Sequence, residues 1–421
     1  KCPHSKDGRN LVVCIDGTSN QFGVKNTNVI ELYHLVKKLP GDNQVTYYNS
    51  GIGTYAKPSW KSLHYWSQVF DHTIDLAIAW NFDQIVLDAY RWLSEKYRKG
   101  DRIFLFGFSR GAYQVRTLAA MINKVRLIHS RNGEQIPLYV RSSYCPPKND
   151  RTFASAHFKE VFSHEARVHF VGAWDTVSSV GVVRSKVLPG TADGMRHVCF
   201  FHHALAFDER RVKFLPEYVN QGLLPKRSES SQLRPPCVKE VWFAGTHSDM
   251  APPLRWMIYE AIVAGLKLDD WTTATQTQTE VHESLKGIWW LLELLPMKYL
   301  SYKTKDGTRR RPHLGASRQV KGGQMIHSTV MDALQQMKYT PKAIPASKLK
   351  HDWEKLRTES PMSQDLPMDI EKDLFGLVQL DLERSMDKYA SLGGEASSGN
   401  SSLSDLDRWV EISEHLGLIL C

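Results

Sequence analysis

The 421-residue sequence has only six cysteines, and none of them stands in C-x-x-C spacing. Cys2, Cys14, Cys145, Cys199, Cys237 and Cys421 are scattered, which excludes a dense disulfide framework and speaks against a thiolate metal site. A reduced, cytoplasmic chain with no metal and no cofactor is the expectation. No apolar run approaches the ~20 residues that a membrane-spanning helix needs, so the chain is expected to be soluble. The opening Lys1-Cys2-Pro3-His4-Ser5-Lys6 carries no secretory signal, although the numbering starts without Met and is compatible with a removed leader. Internal repeats are absent. Also lacking is any interleaving of basic and aromatic residues of the kind that binds RNA, so nucleic acid is not an expected partner.

What is present is ordinary globular composition, 42% hydrophobic and 24% charged, with a net charge of +9. The positive charge is diffuse, densest at Arg309-Arg310-Arg311, and is compatible with peripheral contact with an anionic membrane surface. Short apolar runs over 10–15, 45–49, 102–106, 169–174 and 238–243 read as strands, several of them continuous enough to be buried on both faces. Between them, 28–38, 82–97 and 112–122 carry helical spacing of apolar residues. This alternation predicts an α/β fold built on a mostly parallel sheet with helices on both faces. The expected catalytic core is 10–300, with insertions at about 125–165 and 185–237. Beyond it the chain reads as a helical or irregular extension over 301–391, a Gly/Ser-rich linker over 392–402 and an amphipathic helix over 403–421. The short apolar run at Trp289-Trp290 reads as a buried core helix, with a lid or acyl pocket as the functional alternative.

The sharpest segment is Gly107-Phe108-Ser109-Arg110-Gly111, placed between a strand and a helix. G-x-S-x-G by itself is common, but strand, tight turn and helix in succession are what a nucleophile elbow requires. Gly107 and Gly111 remove Cβ atoms around Ser109, and the backbone N–H of Arg110 is placed to supply half of an oxyanion hole. In this arrangement a triad follows the chain order Ser, acid, His, each after a strand. Asp175, in Trp174-Asp175-Thr176, lies 66 residues after Ser109 (175 − 109), and His247 lies 72 further on (247 − 175). Asp175 also reads as a helix N-cap, and Asp249 is the alternative acid. His202 and His203 compete with His247, but their segment, 200–206, reads as helix and as scaffold. After the first strand, Asp16-Gly17-Thr18 offers a second oxyanion donor from Gly17 or Thr18, with Asp16 pinning the loop. The same stretch approaches the Asp-x-Asp-Gly-Thr motif of aspartyl-phosphate phosphatases, yet the nucleophile position is Cys14, and that reading fails.

Several blocks together resemble the α/β-hydrolase family of the type VI secretion phospholipase effectors of the first lipase class and its fungal relatives. They are Val13-Cys14-Ile15-Asp16-Gly17-Thr18-Ser19-Asn20, Gly51-Ile52-Gly53-Thr54, the elbow, Val171-Gly172-Ala173-Trp174-Asp175-Thr176-Val177, Ala204-Leu205-Ala206-Phe207-Asp208-Glu209-Arg210-Arg211 and Trp242-Phe243-Ala244-Gly245-Thr246-His247-Ser248-Asp249. The resemblance covers about 10–265 and implies a Ser109–Asp175–His247 triad, with Asp249 in loop support, cleaving ester bonds of phospholipids. A small-molecule carboxylesterase or thioesterase, and a catalytically silent binding module, are the alternative expectations. One departure stands out: many relatives follow His-Ser-Asp with Val-Gly-Gly, whereas this chain has Met250-Ala251-Pro252-Pro253.

Overall fold

A computed structural model describes residues 4, 8–17, 26–51, 72–136, 157, 159–178, 190–191, 194–219, 237–249, 251–269, 281–287, 289–302, 308–321, 324–327, 329–330, 333, 339–344 and 370–371. The expected linker over 392–402 and the helix over 403–421 lie outside the described residues, as do Thr18 and parts of the two insertions.

In chain order the elements are β1 (Asn10–Ile15), α1 (Asn28–Leu35), β2 (Gln44–Asn49), α2 (His72–Lys96), β3 (Arg102–Phe108) and α3 (Arg110–Val125). The two-residue strands β4 (Leu127–Ile128) and β5 (Ser163–His164) pair with each other, followed by β6 (Val168–Trp174), β7 (Val198–Ala206), β8 (Cys237–Phe243) and α4 (Ala251–Val263). Then come α5 (Trp289–Leu294), a small β9 (Lys298–Leu300) and β10 (Thr308–Arg310) hairpin, β11 (Met325–His327) and β12 (Ile370–Glu371). The main sheet has the order β2-β1-β3-β6-β7-β8-β11-β12, and every pairing in it is parallel. This is an α/β-hydrolase-like sheet.

Alternation along the buried strands explains the layers. In β1, Leu11, Val13 and Ile15 face the core shared with α2 and α3, through Tyr90, Leu93, Leu118 and Ile122. Val12 and Cys14 point to the other side, against Val29 and Leu32 of α1 and Met257 and Ile258 of α4. With successive Cβ atoms on opposite faces, a strand covered on both sides must be apolar throughout. Helix α1 is opened by Thr27, whose hydroxyl accepts the Ile30 N–H at 3.3 Å.

One expected element needs correction. The segment around His202 and His203 is not helix: it is β7, held between β6 and β8 over its length. Its Phe-Phe-His-His run is a strand buried on both faces, whose side chains have no helical stripe to display. The extension over 301–391, expected to be helical or irregular and to pack on the core, lies mostly outside the described residues. Those described include β10–β12, and β11 extends the main sheet alongside β8. Val320, Ile326, Val330 and Ala343 there pack on Leu205, Phe207 and Trp242, so this extension is part of the core. Cys237 is disulfide-bonded, while Cys14 and Cys199 are thiols; the fully reduced set is not what the fold displays.

Candidate active site

The chain runs from β1 outward to β2 and then returns to β3 on the other side of β1. Where the winding reverses, the C-terminal ends of β1 and β3 lie side by side, the usual ligand position in open parallel sheets. Ser109 stands at the end of β3, with Asp175 after β6 and His247 after β8 on the same edge.

Ser109 has φ 58° and ψ −121°, in the left-handed half of backbone space. Such a conformation costs a non-glycine residue on the order of 1–3 kcal/mol and persists only where its surroundings impose it. Here its N–H donates to the Trp174 carbonyl at 2.9 Å, and its own carbonyl accepts from Val177 at 3.2 Å. The two glycines of the motif are required by contact. A Cβ on Gly107 would meet the Gly111 carbonyl at 2.5 Å, and one on Gly111 would meet the Ile15 carbonyl at 2.2 Å. Ser109 occupies the N-cap position of α3 but does not cap it with its side chain. The hydroxyl instead lies 2.8 Å from His247 Nε2, and His247 Nδ1 lies 2.5 Å from Asp175 Oδ2. All three are buried. The His247 ring is held between Phe108 and Phe214, each 4.7 Å away between ring centres.

Asp175 is no N-cap: its carboxylate is taken up by His247 and by an arginine that no feature of the sequence singles out. Arg318 donates through Nη1 to Oδ1 at 2.7 Å and through Nη2 to Oδ2 at 2.8 Å, with further bonds to the Ala206 and Phe214 carbonyls. Burial alone would raise the Asp175 carboxyl. The Arg318 charge and the hydrogen bonds from His247 and Arg318 outweigh it and hold the group well below the usual carboxylate range. No local motif marks Arg318. It stands 143 residues from Asp175, on the extension that the fold brings across the edge of β7.

Asp249 pairs elsewhere. Its Oδ2 accepts the Thr246 N–H at 2.6 Å, and its Oδ1 faces His282 Nδ1 at 2.8 Å, so it braces the loop that carries His247. Glu209 accepts the His247 N–H at 3.4 Å and a two-pronged contact from Arg211, whose guanidinium lies 3.9 Å over Phe214. Asp208 receives Gly245 N–H and Tyr339 O–H. The Asp208-Glu209-Arg210-Arg211 block is thus a frame around the histidine loop.

On the opposite loop, Asp16 does pin the chain, accepting Thr27 O–H at 2.8 Å and Tyr48 O–H at 3.3 Å. It also accepts the Gly17 N–H at 2.6 Å, so that hydrogen is already engaged. Of the two second-donor candidates, Gly17 is turned to its neighbour, and Thr18 is outside the described residues. Arg110 is the first residue of α3, where helix amides have no intrahelical acceptor. The departure after Asp249 falls on the first turn of α4, at Ala251, Pro252 and Pro253. Prolines fit there because first-turn amides bond to nothing in the helix. The Pro253 carbonyl accepts Trp174 Nε1–H at 3.1 Å and ties this turn to the residue before Asp175.

Helix α5 is not a core helix. Leu292 and Glu293 are buried, whereas Trp290, Leu291 and Leu294 are 43%, 53% and 58% exposed. Glu293 anchors it, accepting Val212 N–H at 2.6 Å and Gly315 N–H at 2.9 Å and pairing with His313 at 2.7 Å. Trp289 packs against Phe214, which in turn packs on His247, so the helix sits one ring away from His247.

Residues 9–260 match the family described as the catalytic domain of type VI secretion Tle1-like phospholipase effectors. The chain belongs to this family. An uncharacterized protein of Saccharomyces cerevisiae, YEL023C, is 33% identical over 225 residues, 50% of this chain. The alignment spans 33% of that relative's length. Two solved structures are similar. The Tle1 effector bound to the VgrG spike of the type VI secretion system has 18% identity and a TM-score of 0.31, over 58% of this chain and 51% of that one. An uncharacterized protein from Pseudomonas aeruginosa has 17% identity and a TM-score of 0.35, over 62% and 46%.

Proposed function

We propose that the protein is a serine esterase acting on phospholipids, of phospholipase A type, with Ser109, His247 and Asp175 as its triad. The observation that carries this reading is the unbroken series Asp175 Oδ2, His247 Nδ1, His247 Nε2, Ser109 Oγ, with links of 2.5 and 2.8 Å. Family membership supplies the substrate class. As Ser109 Oγ attacks the ester carbonyl, His247 Nε2 takes its proton, and the negative charge moves to the carbonyl oxygen. Asp175, kept ionised by Arg318, stabilises the imidazolium without accepting a proton itself. The Arg110 N–H meets the oxyanion. Collapse of the tetrahedral adduct expels the alcohol, protonated by His247, and leaves an acyl group on Ser109. Water, deprotonated by His247, then releases the fatty acid and regenerates the hydroxyl.

For a lipid to reach a buried serine, the enzyme must meet its interface. The exposed Trp290, Leu291 and Leu294, joined by Leu314 at 59% exposure, form an apolar rim beside the triad. The neighbouring β9–β10 hairpin carries Lys298, Arg309 and Arg310, suited to anionic headgroups. The test is twofold. A fluorophosphonate should label Ser109 in folded protein; no adduct would sink the esterase reading. Phospholipid vesicles and a short-chain aryl ester should both be cleaved, and turnover of the aryl ester alone would leave a small-molecule esterase.

A further inference from the structure

At the opposite edge of the sheet from the triad, His4, His169 and Cys199 converge. Among the described residues they are the one group of three such side chains whose donor atoms all lie within 4.8 Å of one another. His4 Nδ1 is 3.3 Å from His169 Nδ1 and 3.8 Å from Cys199 Sγ. His169 and Cys199 are buried, and His4 is partly exposed. The sheet register explains the juxtaposition. Val168 pairs with Val198 and Phe170 with Phe200, so His169 and Cys199 occupy the same step of neighbouring parallel strands. On its other side β6 breaks register with β3 at this point, since Ile103 pairs with Val168 and Phe104 with Phe170. Such bulges re-aim a side chain.

The hydrogen bonds fix which nitrogen faces inward. His169 Nε2 lies 2.8 Å from the Ala264 carbonyl, and His4 Nε2 lies 3.0 Å from the Arg167 carbonyl. A carbonyl only accepts, so each Nε2 carries the hydrogen, and in neutral rings both Nδ1 atoms present lone pairs toward each other and toward the thiol. An imidazole that donates its outer N–H to a backbone carbonyl is also the usual support for a metal-ligating histidine. With Zn–N of about 2.0–2.1 Å and Zn–S of about 2.3 Å, a tetrahedral ion separates its ligands by about 3.3 Å (N to N) and about 3.6 Å (N to S). The two distances from His4 match such an ion, and the third pair, His169 and Cys199, lies within 4.8 Å.

We propose that His4, His169 and Cys199 bind a zinc-class divalent cation through two Nδ1 atoms and one thiolate. On binding, the Cys199 proton leaves to solvent, and one coordination position remains for water or a further donor. The site is structural. His169 and Asp175 are six residues apart on one strand, about 20 Å at the strand rise, which is too far for the ion to touch the reacting ester. Its effect is to fasten the N-terminal segment to β6 and β7. The wide sequence spacing of the ligands, at 4, 169 and 199, is why a search for closely spaced cysteines passes over them.

The test uses the full chain, stripped by chelation, kept in a phosphine reductant and titrated with Co(II). The expected result is one equivalent bound with a near-ultraviolet thiolate-to-cobalt band, displaced by Zn(II). Cys199→Ser should abolish the band, and His4→Gln should weaken binding at least tenfold, with the far-ultraviolet circular dichroism of both variants unchanged. Should Cys199→Ser fail to fold, His4→Gln carries the test, because its residue lies outside the buried core. Absence of a thiolate band in the wild-type chain, or a band that survives in folded Cys199→Ser or is undiminished in His4→Gln, overturns the proposal. A proton shared between the two imidazoles would give that first outcome.

Discussion

Two histidines near the C-terminal edge of the sheet share the same local chemistry and differ in one contact. His247, after β8, and His203, inside β7, each turn Nδ1 to a buried carboxylate, Asp175 at 2.5 Å and Glu240 at 3.0 Å. His203 Nε2 then accepts the Thr176 backbone N–H at 3.0 Å, whereas His247 Nε2 faces the Ser109 hydroxyl at 2.8 Å. A backbone amide never releases its proton to imidazole, so His203 is sealed as scaffold. A serine hydroxyl exchanges its proton, so in the proposed mechanism His247 is the base. The carboxylate–imidazole pair is therefore not what distinguishes this site, and His313–Glu293 and His282–Asp249 repeat it elsewhere. Reactivity rests on the group that meets the second nitrogen.

The largest break in this comparison is Ser109→Ala. It should lower kcat/KM on any ester by roughly 10⁴- to 10⁶-fold with little change in thermal stability, as steady-state kinetics and calorimetry would show. Survival of more than a few per cent of activity would mean that another group is the nucleophile.

Arg318→Gln acts on the carboxylate of the same pair. It leaves Asp175 buried with its largest counter-charge gone and should cost about 3–5 kcal/mol in denaturant unfolding. With that charge removed, burial raises the Asp175 carboxyl, so the acid limb of the pH–rate profile should move to higher pH. A limb that stays in place would show that Arg318 only supports the fold.

His203→Gln sharpens the contrast from the scaffold side. Loss of its bonds should cost about 1–3 kcal/mol while leaving kcat per folded molecule within a few-fold of wild type. It should also change the pH dependence of stability. Burial, only partly opposed by Glu240, lowers the His203 pKa. The unfolded chain therefore binds a proton that the folded chain refuses. The stability tied to this residue is complete above the unfolded value, about 6.5, and is lost as pH falls below it. Denaturation at pH 5 and pH 8 should show a smaller difference in the variant.

The smallest structural effect belongs to Leu291→Asp with Leu294→Asp. These side chains are exposed, so stability should shift by less than about 0.5 kcal/mol per site. Vesicle hydrolysis should fall roughly tenfold or more while aryl-ester turnover stays constant. Equal losses on both substrates would place α5 in the pocket instead of at the interface.

Much of the site was legible because its requirements are local. Gly107, Ser109 and Gly111 report a turn too tight for Cβ atoms, and the flanking strand and helix are written in the spacing of apolar residues. Asp175 and His247 were legible because each ends an apolar run, and parallel strands align their C-terminal ends on one edge. The misreading at 200–206 has the converse cause: a strand buried on both faces has no period to separate it from a short buried helix. The apolar run at Trp289-Trp290 misled in a similar way, since its anchor is the buried Glu293 and not its leucines.

The sequence by itself determined the tight turn at Ser109, the order of the proposed triad and the alternation that makes a parallel sheet, because each depends on residues close along the chain or on a period within one element. Only the tertiary structure decided that Arg318 clamps Asp175, that the Gly17 amide is taken by Asp16, and that His4, His169 and Cys199 meet. Those contacts depend on strand register and on how a distant extension crosses the sheet. Burial gives them their strength, by removing the water that would otherwise screen the charges and occupy the lone pairs.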